Sequence, residues 1–263
     1  MTEQKPLDPH YDPSKVRPKK GTKIKKMIAV VSGKGGVGKS TISALLASHA
    51  QRVGYQSAMI DGDIVGPSLG QLFNIHESAV ADENGIIPFI SPSGLKIFSS
   101  NMMVETETTP ILWRGPLISG AIKQFYTDVL WGEIDLMVLD MPPGTGDIAL
   151  TVFQSLPIDG IIIVTTPQDL VSMIVSKAIE MAVQMDIPIL GIIENYSYLI
   201  CDDCGHKMYP FGESKLEALA MHYDLPIIAQ LPLDPTYASL ADQGKIETIE
   251  SEQFAWLVET LMK

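Results

Sequence analysis

Cysteine is almost missing from this chain: 263 residues hold two, Cys201 and Cys204. A single pair so close in sequence cannot staple a fold, which excludes a secreted disulfide scaffold. No uninterrupted apolar run reaches the ~20 residues that cross a bilayer, and the charged start lacks the apolar core of a secretory signal. Positive charge is scarce as well, with 19 Lys and Arg against 31 Asp and Glu. What there is gathers in residues 1–26, whose net of +5 leaves −17 on the remainder of a chain of net −12. A body so acidic is a poor surface for DNA, RNA or anionic lipid, so neither nucleic acid nor membrane is expected as a partner. The basic tail, residues 1–26, reads as solvated and disordered. A cytoplasmic chain is the simplest expectation.

What is present is a regular alternation. Short apolar runs, "MIAVVS" (27–32), "SAMID" (57–61), "LMVLD" (136–140), "GIIIVTT" (160–166), "ILGIIEN" (189–195) and "LPIIAQL" (225–231), alternate with longer amphipathic stretches. Near-continuous Val, Ile and Leu predicts strands buried on both faces, as in a parallel sheet. Helices are expected over 39–53, 116–131, 168–186, 213–223 and 251–262. This order predicts an α/β fold: a doubly wound, mostly parallel sheet with helices on both faces and ligands at the strands' carboxyl ends. Residues 81–100 read as a Pro/Gly-punctuated hairpin or irregular insert. The length suits one domain, 27–263, with a Cys-x₂-Cys insert at 197–212.

The turn after the first apolar run is "VVSGKGGVGKST", Val30 to Thr41. Gly33-x-x-x-x-Gly38-Lys39-Ser40 matches the Walker A pattern, with a strand before it and a helix after it. The loop Gly33, Lys34, Gly35, Gly36, Val37, Gly38 would turn successive backbone N–H groups inward onto phosphates. The helix opening at Lys39, Ser40 and Thr41 aims its positive end at the same place. Lys39 would meet the β and γ oxygens of ATP, and the Ser40 hydroxyl would ligate Mg²⁺. Asp140 closes its apolar run as a Walker B acid that holds Mg²⁺ through water. "PPGTGD" after it suits a loop that senses the γ-phosphate. Asp61 and Asp63 end the second run; they either organise Mg²⁺ and the attacking water or cap a turn, with Asp63 the one read as catalytic.

A Walker A loop needs one lysine, yet Lys34 adds a second. "KGGVGKS" resembles the deviant signature of the MinD/ParA/nitrogenase-iron-protein class of ATPases. That resemblance implies a nucleotide-dependent homodimer in which Lys34 reaches the partner's phosphates as an arginine finger does. The bland reading is a solvated loop lysine.

"CDDC" places both thiols where they can share one metal ion or cluster. Two ligands do not complete a four-cysteine site, but a two-fold dimer brings the same patch together twice. Cys201 and Cys204 from two chains would make a Cys₄ site for a [4Fe–4S] cluster or zinc, which spacing does not separate. A thioredoxin-like dithiol is disfavoured by the two acids between the thiols.

Taken with "DGDIVGPS", "WRGP" (113–116), "LDMPPGTGD", "TTPQDLVS" (165–172) and "GIIENYSY" (191–198), the chain resembles the Mrp/ApbC family over nearly all of residues 25–260. Members of that family are ATP-binding iron–sulfur cluster carriers. The resemblance implies ATP hydrolysis, a cluster held between subunits and delivery to apo iron–sulfur proteins. It makes Asn195 the amide that reads adenine, where an Asn could equally close a turn, and "LPLDP" (231–235) the loop flanking the base. The family often has Asn-Met-Ser where this chain has Asn195-Tyr196-Ser197. Two other readings stay open: a MinD/ParA-like positioning ATPase, which the acidic C-terminal stretch argues against, and a zinc-bridged regulatory dimer.

Overall fold

The computed structural model describes residues 12, 14–103, 115–167, 171–201 and 203–263. The expected motifs "WRGP" and "TTPQDLVS" lie partly outside these residues, as does Asp202. Strand β1 (Lys23–Ser32) leads through a glycine loop into helix α1 (Lys39–Arg52), followed by β2 (Ser57–Asp61) and the one-turn α2 (Leu69–Leu72). Next come β3 (Val80–Asp82), β4 (Gly85–Ile87), β5 (Phe89–Ile90), β6 (Lys96–Phe98) and α3 (Gly115–Asp128). The second half alternates β7 (Glu133–Asp140), α4 (Asp147–Ser155), β8 (Gly160–Thr165), α5 (Val171–Gln184) and β9 (Ile189–Ile200). It ends with β10 (Lys207–Met208), α6 (Leu216–Tyr223), β11 (Ile227–Pro232), α7 (Pro235–Asp242) and α8 (Glu252–Leu261).

The main sheet runs β11-β9-β8-β1-β7-β2-β6-β5, and β10 folds back on the far end of β9. Every pair from β11 to β6 is parallel; the two antiparallel pairs, β5–β6 and β9–β10, lie at its margins. The expected mostly parallel, doubly wound sheet is therefore the one found. In the central strands Met27–Ser32, Leu136–Asp140 and Gly160–Thr165 are buried without alternation, because helices cover the sheet. The winding reverses at β1, which lies between β7 and β8. Its carboxyl end is thus a topological switch point, where open α/β sheets bind ligands.

The structure departs from the expected elements at the start of the first strand and at helices α4 and α7. The first strand begins at Lys23, inside the stretch read as tail, because Lys23 and Ile24 continue the ladder to Glu133 and Ile134. Val16 N–H also donates to Ser155 O at 2.8 Å. The insert at 81–100 is a β3–β4 hairpin whose turn hangs on Asp82, followed by β6, which joins the main sheet parallel to β2. Helix α4 was not expected, although Ala149, Val152 and Phe153 bury one face at helical spacing. Finally, "LPLDP" is the end of β11 and the start of α7. Asp234 caps that helix by accepting from Thr236 N–H at 2.8 Å, with Pro235 in the first turn.

Helix α1 is anchored to the C-terminal segment by a buried histidine. His49 Nδ1 lies 2.8 Å from Leu45 O, and its Nε2 accepts from Ser251 N–H at 2.9 Å. Both contacts need the neutral ring with its proton on Nδ1. Burial holds the imidazole below its ordinary value; the bond to Leu45 O opposes it, and Arg52, a smaller cause, adds to the lowering. The unfolded chain therefore takes up this proton at a higher pH than the folded chain does. Stability is retained above about pH 6.5 and is lost as pH falls below it, with a slope of at most ~1.4 kcal/mol per unit from this group. The expected outcome is that His49→Gln flattens the decline in melting temperature between pH 7 and 5.5. An unchanged profile contradicts the assignment.

Candidate active site and cysteine hairpin

Between Ser32 and Lys39 the chain turns through Gly36 and Gly38, whose φ values of 80° and 81° lie in the left-handed region that favours glycine. Ser32 Oγ donates to Lys34 O at 3.0 Å and fixes the loop's entry. Its exit is the first helical bond of α1, from Ile42 N–H to Gly38 O at 3.0 Å. Lys34 is half-buried in the loop, while Gly35 and Gly36 face solvent.

Asp140, fully buried at the end of β7, gathers the next shell. Lys39 Nζ lies 2.7 Å from its Oδ1 and Ser40 Oγ 2.5 Å from its Oδ2. Ser43 Oγ lies 2.8 Å from Oδ1 and 3.0 Å from Lys39 O. Ser43 was not singled out from sequence; its signal was the one-turn spacing from Lys39, which places both residues over the strand end. The carboxylate thus ties the lysine to the hydroxyl that would hold the cation.

The paired aspartates divide their work. Asp61, across from Asp140 in the β2–β7 register, accepts from Ser99 Oγ at 2.9 Å, Leu69 N–H at 3.3 Å and Asp63 N–H at 3.2 Å. Burial, and then the charge of Asp140, raise its pKa to about 7. It closes its own loop, as the turn-capping reading expected. Asp63 is half-buried and shares a cleft of about 270 Å³ with Gly35, Lys39, Ser40, Thr41 and Pro143. Its Oδ1 accepts from Gly66 N–H at 3.2 Å, and burial pushes its pKa up.

Asn195 lies beside the phosphate loop. Its Nδ2 donates to Val37 O at 3.0 Å, inside the phosphate loop, and its Oδ1 accepts from Tyr196 N–H at 3.0 Å. The side chain is buried against the loop.

The cysteines lie where β9 turns into β10. Cys201 N–H donates to His206 O at 3.0 Å and Gly205 N–H to Cys201 O at 2.8 Å, a tight turn that Gly205 closes at φ 69°. Cys201 is half-buried and Cys204 exposed, and neither forms a disulfide. Among the described residues no three His, Cys, Asp or Glu converge to hold a metal. The hairpin also exposes Ile200, Met208, Tyr209 and Phe211. Large apolar groups together on a small edge hairpin mark an interaction surface.

A glycine loop at a strand-to-helix junction, beside a lysine and a hydroxyl gathered on one carboxylate, is what a nucleotide phosphate and its cation require. The fold and site are those of a P-loop nucleoside triphosphatase. The chain belongs to the family described as NUBPL iron-transfer P-loop NTPases, whose model matches residues 23–262. It is 41% identical over 237 residues to the iron-sulfur cluster carrier protein of Clostridium perfringens, covering 87% of this chain and 83% of the relative. A nucleotide-binding protein of Archaeoglobus fulgidus, solved in complex with ADP and with cobalt found, is 39% identical. It matches 88% of this chain and 91% of its own with a TM-score of 0.78. The septum site-determining protein MinD of Pyrococcus horikoshii, complexed with Mg-ADP, matches 90% of this chain and 94% of its own. At a TM-score of 0.61 and 20% identity, that likeness is one of fold alone.

Proposed function

We propose that this protein is an ATP-dependent carrier of iron–sulfur clusters that works as a homodimer. The observation that carries the reading is half a metal site: two thiols on an apolar, solvent-facing hairpin, at the end of a strand that also touches the phosphate loop. An isologous dimer supplies the second pair and covers the apolar side chains in the same step. The cargo is a [4Fe–4S] cluster bound by Cys201 and Cys204 of each subunit, and apo iron–sulfur proteins receive it. The cytosol, where thiols stay reduced, is the compartment this chemistry suits. The acidic body gives no footing for nucleic acid or lipid headgroups.

The donor set fits a magnesium nucleotide. Ser40 and Asp140 would hold Mg²⁺, which supplies charge neutralisation at the β and γ phosphates. The inward N–H groups of Gly35 to Thr41 cradle the phosphates, and Lys39 adds a full charge. Asp63 stands in the same cleft to orient the water that attacks the γ-phosphorus as the bond to the β-phosphate oxygen breaks. Lys34, on the rim of the loop, acts across the dimer on the partner's nucleotide.

Anaerobic reconstitution with iron and sulfide, followed by incubation with an apo-acceptor, tests the reading. The expected result is the broad thiolate-to-iron absorbance, followed by its loss from the carrier as the acceptor gains activity. Tight zinc binding with no iron–sulfur absorbance would instead favour the zinc-bridged dimer.

A further inference from the structure

Strand β9 touches both ends of the proposed machinery. Its pairing with β8 stops at Thr165↔Glu194, directly before Asn195, and the strand runs on to Ile200, next to Cys201. At the point of departure stands Tyr196 with φ 59°. A bulky side chain in the left-handed region is an outlier that persists only where its surroundings hold it. Here they do. Glu194 on one side accepts from Ser197 Oγ at 2.7 Å, Ser214 Oγ at 2.7 Å and Gln230 Nε2 at 3.2 Å. On the other, Tyr198 O accepts from Leu233 N–H at 2.7 Å, and its ring lies 4.2 Å under Lys207 Nζ of the hairpin.

The contact made by this fixed kink is specific. Asn195 Nδ2 holds the carbonyl of Val37. In a planar trans peptide the C=O and the following N–H point to opposite sides. Holding the Val37 C=O on the Asn195 side therefore sets the Gly38 N–H toward the opposite side of the loop. Gly38 leaves no alternative packing: a Cβ on it would run into Asn195 Nδ2 and lie 3.1 Å from the Tyr196 hydroxyl. A movement of this peptide on phosphate binding must move Asn195, and with it the strand that ends at the thiols.

We infer that Asn195 and Tyr196 form a clasp that presets the Val37–Gly38 peptide for phosphate and passes the occupancy of the phosphate loop along β9 to the cysteine hairpin. Both are positioning residues. The proposal deepens the carrier reading and rests on it for the purpose of the coupling, but its test needs no cluster.

The test follows the rate at which iodoacetamide alkylates Cys204 in the iron-free protein, with and without saturating Mg-ADP. In the wild type the nucleotide is expected to change that rate threefold or more. Asn195→Ala is expected to weaken Mg-ADP binding about tenfold and, once saturated, to show no nucleotide effect on alkylation. Tyr196→Gly tolerates the same φ, so it keeps the fold while loosening the kink, and it too should lose the effect. If Asn195→Ala does not fold, Tyr196→Gly decides alone. A wild-type rate indifferent to nucleotide, or an effect that survives in the variants, overturns the clasp. Failure of cluster reconstitution would sink the carrier reading without touching these rates.

Discussion

Replacing Lys34 with alanine is expected to slow ATP hydrolysis about a thousandfold while leaving Mg-ADP binding nearly intact, the signature of a trans-acting cation. The two lysines differ in placement. Lys39 is buried, points inward and meets Asp140 at 2.7 Å, so it belongs to its own chain's phosphate site. Lys34 is half-buried in the loop, where its backbone carbonyl is tied to Ser32. In the proposed dimer a charge there would stabilise a transferring phosphoryl group presented by the partner. Mixing variants checks the direction. Lys34→Ala and Asp63→Ala are each expected to be inactive alone, but a heterodimer holds one site with an intact Asp63 and the partner's intact Lys34. An equal mixture should therefore recover about a quarter of wild-type turnover. No recovery would place the action of Lys34 within its own chain.

Changing Cys201 and Cys204 together to serine is expected to abolish cluster binding altogether, with iron content falling to background. The fold should survive, because Cys204 is exposed and the hairpin hangs on backbone bonds and on Lys207 over Tyr198. Nucleotide binding should survive as well, since none of the phosphate-loop contacts involves a thiol. Each single change is expected to be almost as damaging as the pair. In a symmetric dimer one substitution removes two of four ligands at once, and serine oxygen is a poor substitute for thiolate at iron. Circular dichroism and iron analysis on the same samples separate ligand loss from unfolding. Cluster assembly by the double variant would remove the cysteine hairpin from the account.

The parts of this site that lie close together in sequence were the parts legible from it. Gly33 to Thr41 is one continuous segment whose glycines, lysine and hydroxyl act through local backbone geometry, so the pattern alone carried the chemistry. Asp140 was legible because a buried strand that ends on a carboxylate has few other uses. The contact of Asn195 with Val37 was not, since the two lie 158 residues apart and no local pattern encodes that meeting. Asp61 and Asp63 look equivalent in sequence, and only burial and register show that one closes the loop while the other faces the cleft. The strand order, too, was open until β6 was seen to join β2. The edge of the fold misled in a different way: Lys23 to Lys26 read as tail because of charge, but alternate side chains point to solvent while the backbone pairs with β7.

If two identical chains complete one metal site, the iron-to-protein ratio of the intact holoprotein shows it. Native mass spectrometry of the anaerobically reconstituted protein should show a species of twice the 28.7 kDa chain mass carrying one four-iron, four-sulfide unit. A full cluster on a single chain, or a dimer carrying one such unit per chain, would contradict it.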